Sequence, residues 1–345
     1  MHLSPAPKDT TKRAYSRRFH NIYLFITERC QLRCGHCYMG DRLERGLIMP
    51  YEKAARIISY FYRLGAEYLT FVGGEPTLHP DLPRMVDHAL EAGYRKVMID
   101  SNGLLAQRVT RIAPEKLYYV RISLDGATAA THEKVRGKGT YDKTIAGIKH
   151  LVAAGYRVRI TCTIFQFNIH EAPAMLALAD ELGVSLVNFH TFSEEGCGVA
   201  NADWSLSPHD WIQFYESLES IKDQYKTVVR YPPTWVSPDK ISKYVAEGYR
   251  GCLGCSLDRL SVFPDGRCYV CPLFFDEPVH FGIMTDEGLV VNKGDNEYEL
   301  FTAAAVKAPA PWLTGCPAEQ VLEKNGKKKT PTELISVCRL WRAEA

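Results

Sequence analysis

From residue 21 to about 192, short runs of β-branched and aromatic residues alternate with longer stretches whose apolar positions recur at helical spacing. The strand-like runs are 21–27, 68–72, 96–100, 119–124, 157–163 and 184–190, and between them Tyr51 to Leu64, Leu82 to Ala92, Tyr141 to Ala154 and His170 to Leu182 carry helical periodicity. Gly65, Gly93, Gly155 and Gly183 each stand where a helix should end, a place that favours a residue with positive φ. The alternation predicts parallel β/α units wound by right-handed crossovers. After Phe192 it stops. Ser193 to Ser207, rich in Gly, Ser and acidic residues, reads as a linker, followed by a helix over Pro208 to Gln224 and by breaks at Pro232, Pro233 and Pro238. Val262 to Tyr269, with Pro264-Asp265-Gly266 at its centre, reads as a β-hairpin. The expected organisation is a tail (1–20), an α/β core (21–192), a linker and helical segment (193–245) and a cysteine-rich C-terminal unit (246–345).

The 345 residues, 46% hydrophobic and 24% charged, suit a globular chain with one large core and a smaller unit. With 42 basic against 40 acidic residues the net charge is +2, so charge gives no reason to expect nucleic acid or a membrane surface as partner. The basic stretches Lys8 to Arg18 and Lys327 to Lys329 read as solvated tails. Met1 to Pro7 lack the apolar core of a secretory signal, and no run approaches the roughly 20 apolar residues of a membrane helix, so a cytoplasmic protein is expected. There, 11 cysteines point to metal or catalytic use rather than disulfides. All but Cys162, which reads as a buried strand thiol, and Cys197, to which no role is assigned, fall into two groups.

The first group is Cys30, Cys34 and Cys37, spaced C-x3-C-x2-C just after the first strand. Three thiolates from one short loop suit an iron-sulfur cluster, and a four-iron cubane held by three cysteines keeps one iron open for a small molecule. Gly73-Gly74-Glu75-Pro76 follows the second strand, at the carboxyl end where parallel barrels place ligands, and its glycines permit close backbone approach. Ser123-Leu124-Asp125-Gly126 ends the fourth strand, with Arg136-Gly137-Lys138-Gly139 beyond it; Asp100, Ser101 and Asn102 end the third.

In this order the motifs resemble the radical S-adenosylmethionine (SAM) superfamily, whose core is a partial (β/α)6 TIM-like barrel. The resemblance implies a SAM-binding 4Fe-4S cluster on Cys30, Cys34 and Cys37. Gly73, Gly74, Glu75 and Pro76 would then hold the SAM amino group, through the Glu75 carboxylate or a neighbouring carbonyl. Ser123 and Arg136 are candidates for the SAM carboxylate, Asn102 for the ribose or the pocket wall, and His36 for the place near adenine. A strand-end cap or turn is the alternative for Ser123, Arg136 and Asn102.

The second group is Cys252, Cys255, Cys268 and Cys271, with Cys316 and Cys338 beyond. Two C-x2-C pairs flanking a hairpin suit a zinc ribbon. The group also resembles the SPASM/twitch-type auxiliary domain, in which Gly266 and Cys271 form the G-x4-C element. That resemblance implies one auxiliary 4Fe-4S cluster on Cys252, Cys255, Cys271 and Cys316, with Cys338 the alternative fourth ligand; the cysteine run of a second auxiliary cluster is absent. Cys268 or Cys338, if unligated, is either a buried thiol or a hydrogen or proton donor to a substrate radical. Pro272 stands where sulfatase-maturating relatives carry a basic aspartate, so that role does not transfer.

The expected activity is reductive SAM cleavage and hydrogen abstraction, for oxidative modification or cross-linking of a ribosomally made peptide or, alternatively, dehydrogenation or epimerisation of a small molecule such as an aminosugar. An external donor such as flavodoxin or ferredoxin would supply electrons. Because only the short segment 1–20 precedes the first strand, a peptide would dock directly or through a separate recognition protein. A noncatalytic iron-sulfur or zinc-binding module is the reading from a different class, and it leaves the glycine-rich site and the β/α units without a purpose.

Overall fold

Alternate residues of the first strand have different surroundings: Ile22, Leu24 and Ile26 are fully buried and belong to a core that includes Ile57, Phe61 and Met85 from neighbouring helices. Tyr23 and Thr27 project to the opposite face, as the two-residue period of a strand requires. The computed structural model describes residues 19–246, 249–250, 258–275, 279–292, 297, 318, 334–336 and 341–342. Six strands, β1 (Asn21–Thr27), β2 (Tyr68–Gly73), β3 (Lys96–Ser101), β4 (Tyr119–Ser123), β5 (Val158–Ile164) and β6 (Leu186–Thr191), lie side by side in chain order, all parallel. Helices Tyr51–Arg63, Leu82–Ala92, Tyr141–Ala153 and Ala172–Glu181 join them, and Gly65, Gly93, Gly155 and Gly183 all have positive φ. These are the parallel β/α units that the alternation predicts, in the α/β partial-barrel arrangement that the resemblance implies.

The sheet extends beyond the six. β7 (Val228–Arg230) pairs parallel with β6, and β8 (Arg259–Val262) pairs parallel with β1. β8 then continues antiparallel through β9 (Arg267–Tyr269), β10 (Gly282–Met284) and β11 (Leu289–Val291), completing an eleven-stranded sheet. The expected hairpin therefore forms, but as an extension of the barrel sheet. The open edge of β1 supplies the reason: its backbone N–H and C=O groups need partners, and Leu260 and Val262 bring fully buried side chains with them.

Two further differences concern the site. Ser193 to Ser207 is not a free linker, because 3₁₀ turns over Gly196–Trp204 pack it against the first cysteine loop. Arg136 closes a helix, Ala129–Arg136, capped at its start by Thr128. The helix after the linker ends at Ile221, with Lys222–Gln224 a 3₁₀ turn. Among the described residues, no helix is long and apolar enough to cross a membrane.

Candidate active site at the carboxyl ends of the strands

The first cysteine loop leaves β1 at Thr27 and is braced on three sides. On the first side, Gly74 N–H donates to the Thr27 carbonyl and Glu75 N–H to that of Arg29, both at 2.8 Å. A Cβ at Gly73 would lie 2.4 Å from the Thr27 oxygen, and one at Gly74 2.5 Å from that of Arg29, so this backbone contact excludes any side chain. On the second side Gly35 N–H donates to the Val135 carbonyl at 2.9 Å. On the third, Asn201 Nδ2 donates to the Gly35 carbonyl at 2.9 Å, and the Trp204 ring lies so close that a Cβ on Gly35 would sit 2.7 Å away. Buried Glu28 anchors the start of the loop by accepting from Arg45.

Burial pushes the Cys30 thiol up to about 11 and Cys37 to about 12, and raises Cys34 as well. Without metal these groups are protonated at neutral pH, so loading a cluster must release protons. The surroundings fit thiolate sulfurs. Leu32 N–H points at Cys30 Sγ at 3.4 Å, Asn102 Nδ2 lies 3.9 Å from it, and Arg136 Nη1 lies 3.9 Å from Cys34 Sγ. Donors and a cation around the sulfurs are among the levers that tune iron-sulfur centres.

Glu75 is 1% exposed, and its carboxylate accepts four hydrogen bonds: from Thr77 N (3.1 Å), Thr77 Oγ1 (2.6 Å), Ser101 Oγ (2.9 Å) and Asn102 N (2.8 Å). Burial nevertheless raises its pKa, because all four donors are neutral. The carboxylate thus ties the end of β2 to the end of β3, and Asn102 Oδ1 passes the tie on to Gln31 at 3.2 Å. Pro76 opens the buried turn Pro76–Leu78.

Asp125 behaves otherwise. It is fully buried; burial acts to raise its pKa, but the Arg136 guanidinium at 2.6 Å outweighs that, and Thr163 N–H adds a bond at 2.8 Å, so it lies below the ordinary aspartate value. His36 Nε2 is 3.5 Å from the same carboxylate and its ring meets Phe165 edge-on at 5.7 Å, while burial lowers its pKa to about 4, so the imidazole is neutral. Ser123, at the end of β4, pairs in register with Thr161 of β5. Asp100 lies apart from this group, in a two-point ion pair with Arg121 at 2.9 and 2.5 Å.

The structure therefore brings together Cys30, Cys34, Cys37, His36, Asn102 and Arg136, with Gly73 to Pro76 against the same loop. In the second group, Cys271 is buried and its N–H donates to the buried Glu297 carboxylate at 2.7 Å. Cys268 is fully buried, with its thiol 3.5 Å from the Gly266 carbonyl and raised in pKa by burial. Cys252, Cys255, Cys316 and Cys338 lie outside the described residues. The two groups meet through side chains: Tyr38 contacts Phe275 at 5.6 Å, and buried Arg42 bonds Tyr269 Oη at 3.0 Å and the Phe275 carbonyl.

Sequence reasoning missed Glu28, Asn201 and Cys197. Cys197 N–H donates to the Cys37 carbonyl at 2.9 Å. Its two flanking glycines were the available signal, and by themselves they read as a linker.

The radical SAM superfamily model matches residues 24–179. Among curated relatives, Fe-coproporphyrin III synthase of Methanosarcina barkeri is 33% identical over 187 residues, 52% of this chain but only 46% of that protein. The mycofactocin maturase MftC of Mycobacterium tuberculosis is 27% identical over 273 residues, covering 76% of this chain and 67% of the relative. Among solved structures, SuiB of Streptococcus suis bound to S-adenosylmethionine superposes with a TM-score of 0.67 at 16% identity, over 93% of this chain and 77% of SuiB. Native anSMEcpe with bound AdoMet gives 0.62 at 17% identity, over 84% of each chain. At such identities the superpositions speak for the fold. The matched residues 24–179 carry the cysteine triad, the glycine-rich turn and the Asp125–Arg136 pair, so this stretch of the chain is similar to radical SAM domains.

Proposed function

We propose that this protein is a radical SAM enzyme that modifies a peptide oxidatively or cross-links it, in the manner its relation to peptide maturases suggests. The observation that carries the reading is one loop presenting Cys30, Cys34 and Cys37 against the Gly73-Gly74 turn and Arg136. Cys30, Cys34 and Cys37 would hold the cluster. When bound, cluster and SAM supply reductive cleavage of SAM to methionine and a 5′-deoxyadenosyl radical that takes a hydrogen atom from substrate.

The chain's own residues then have distinct tasks. Gly73 and Gly74 let the backbone of the β2 turn approach the loop, and the saturated Glu75 carboxylate holds that turn rigid. This leaves a neighbouring carbonyl as the better group to receive the SAM ammonium. Arg136, oriented by Asp125, keeps its charge beside Cys34 and is suited to a carboxylate. Neutral His36 offers a flat face beside Phe165 for adenine, and Asn102 and Ser123 line the rim. In the second unit Cys252, Cys255, Cys271 and Cys316 would hold one auxiliary 4Fe-4S cluster as an electron exit, with flavodoxin or ferredoxin as donor to the first cluster. The peptide substrate finds support in MftC, a maturase by name, and in SuiB, which has been seen with its precursor peptide SuiA. A small-molecule substrate is the second reading, favoured by the 33% identity to Fe-coproporphyrin III synthase. A cytoplasmic location suits either.

The test is cluster-dependent SAM cleavage. With dithionite, wild-type protein should form 5′-deoxyadenosine, and the variant with Cys30, Cys34 and Cys37 all replaced by Ala should form none. Iron should fall from about eight to about four per chain. Undiminished cleavage by the triple variant would refute the assignment, whereas about four irons and one zinc in wild type would replace the auxiliary cluster with a zinc ribbon.

A further inference from the structure

The two faces of the central strands differ in kind. Ile99, Val120 and Ile122 turn toward the helices and are fully buried. Asp100 and Arg121 turn the other way, onto the inner face of the partial barrel, and their side chains stay 26% and 17% exposed although paired strands flank them on both sides. That face is therefore an open hollow and not a packed interior. It is also charged. Arg159 of β5 stands in register beside Arg121, a like-charge arrangement that costs stability in a sheet, and its guanidinium lies over the Tyr119 ring at 4.1 Å. Arg259, at the start of β8, lies over the Tyr23 ring at 4.6 Å. Among the described residues, Asp100 is the only carboxylate that strands β1 to β8 contribute, and it takes Nε and Nη2 of Arg121. Tyr23 feels the balance: burial acts to raise its phenol, but the charges of Arg259 and Arg121 outweigh burial and hold it below the ordinary tyrosine value.

The hollow adjoins the candidate active site. Arg121 precedes Ser123 by two residues on the same face, which puts it about 7 Å deeper along β4. Asp100 leads into Ser101 and Asn102, which bond Glu75 and reach Cys30. Tyr38, next to Cys37, meets the Phe25 ring edge-on at 6.4 Å, and Phe25 shares the inner face of β1 with Tyr23. We propose that Arg121, Arg259 and the Tyr23 hydroxyl bind a carboxylate of the substrate, carried by an acidic peptide side chain or by a small carboxylic acid. The inference rests on the function proposed above and narrows its substrate. Two guanidinium groups and a phenol acting on one another offer a carboxylate charge-assisted hydrogen bonds, and the excess of cations over carboxylates on this face disfavours a basic group in the same place. An anchored carboxylate also fixes which C–H bond of the substrate faces the cysteine loop.

The experiment uses full-length protein, reconstituted anaerobically and loaded with SAM while its clusters are oxidised. N-acetylglutamate amide stands for a peptide side chain and glutarate for a free acid, each compared with its neutral counterpart, N-acetylglutamine amide or glutaramide. Binding is read by calorimetry and by protection of Arg121 and Arg259 from phenylglyoxal, located by peptide mass spectrometry. At least one acid should bind about ten-fold or more tightly than its amide and slow the labelling of both arginines. Asp100→Asn releases the Arg121 fork and should tighten acid binding several-fold, a gain that a purely structural ion pair would not give. Arg259→Gln should weaken acid binding about ten-fold while leaving the amides unaffected, and Arg259→Lys should restore part of it. Preference for the blocked glutamate identifies a peptide carboxylate, and preference for glutarate a small acid. Equal affinity for acids and amides, or labelling that no acid slows, overturns the inference, and so does an Asp100→Asn protein that binds acids no better than wild type. Should the variants fold poorly, the wild-type comparison of acid with amide decides alone. SAM cleavage that persists in wild type while no acid binds defeats this inference by itself, whereas undiminished cleavage by the Cys30, Cys34, Cys37 triple-alanine protein defeats the cluster reading instead.

Discussion

Glu75 and Asp125 are both buried carboxylates, one just beyond β2 and one just beyond β4, and their pKa values move in opposite directions. Glu75 is satisfied by four donors from neutral groups, so burial dominates and its charged form is disfavoured. Asp125 meets fewer donors but one is a guanidinium, and the charge outweighs burial. Hydrogen-bond count alone does not predict which carboxylate stays ionised. Glu75 serves as a knot between two strand ends, whereas Asp125 holds a cation beside a cysteine.

The largest expected effect breaks the Asp125 side. Asp125→Ala leaves Arg136 buried without its counter-charge and should cost about 3–5 kcal/mol in denaturant unfolding of the metal-free protein. A loss no greater than that of Glu75→Gln would show that the ion pair is not what distinguishes the two sites.

Next in size is a pH effect on the same side. Burial lowers His132 to about 4. A base with a depressed folded pKa stabilises the protein fully above the unfolded value near 6.5, and that stability is lost as pH falls toward the folded value. His132→Asn retains an acceptor for Asp125 N–H and should flatten the stability profile between pH 6.5 and 4, by at most about 3 kcal/mol. An unaltered slope would mean that His132 is already charged in the fold.

Glu75→Gln tests the knot. The amide must present N–H₂ toward at least one existing donor, so the expected loss is about 1–3 kcal/mol. Its pH signature has the opposite sign. A carboxyl raised by burial contributes stability that is present below its unfolded pKa and lost as pH rises through the folded value. Gln removes that decline, and a wild-type profile showing no decline above the ordinary carboxylate range would contradict the raised pKa. The smallest change, Thr77→Val, deletes only the hydroxyl bond to Glu75 and should cost about 1 kcal/mol, measured by the shift in denaturation midpoint.

Much of this was legible in the chain. The six strands declare themselves because each is a short run dense in β-branched, aromatic or other apolar residues, and the helix ends because a glycine with positive φ follows each. The triad and the glycine-rich turn were legible because their residues are close in sequence. What escaped reading depends on contacts between distant segments. Arg136 reads as a loop residue until the helix Ala129–Arg136 carries it back to Asp125. Ser193 to Ser207 has the composition of a linker, and only the fit of Gly196 and Trp204 against Cys37 and Gly35 makes it a cover. β8 is four residues long, too short for its pattern to announce a parallel partner.

That short strand imposes an order of assembly. β1 ends in the cysteine loop, and one of its two neighbours is β8, in register from Asn21 opposite Arg259 to Leu24 opposite Val262. On the ribosome, β1 through β6 can pair as they emerge, but the far edge of β1 stays bare until Val262 has left the exit tunnel. Long-range parallel pairing of this kind is slow and leaves an exposed strand edge in the meantime. The first cysteine loop therefore hangs from a half-finished strand through most of translation. Whatever binds this loop would find a firmer receptacle after release than on the nascent chain.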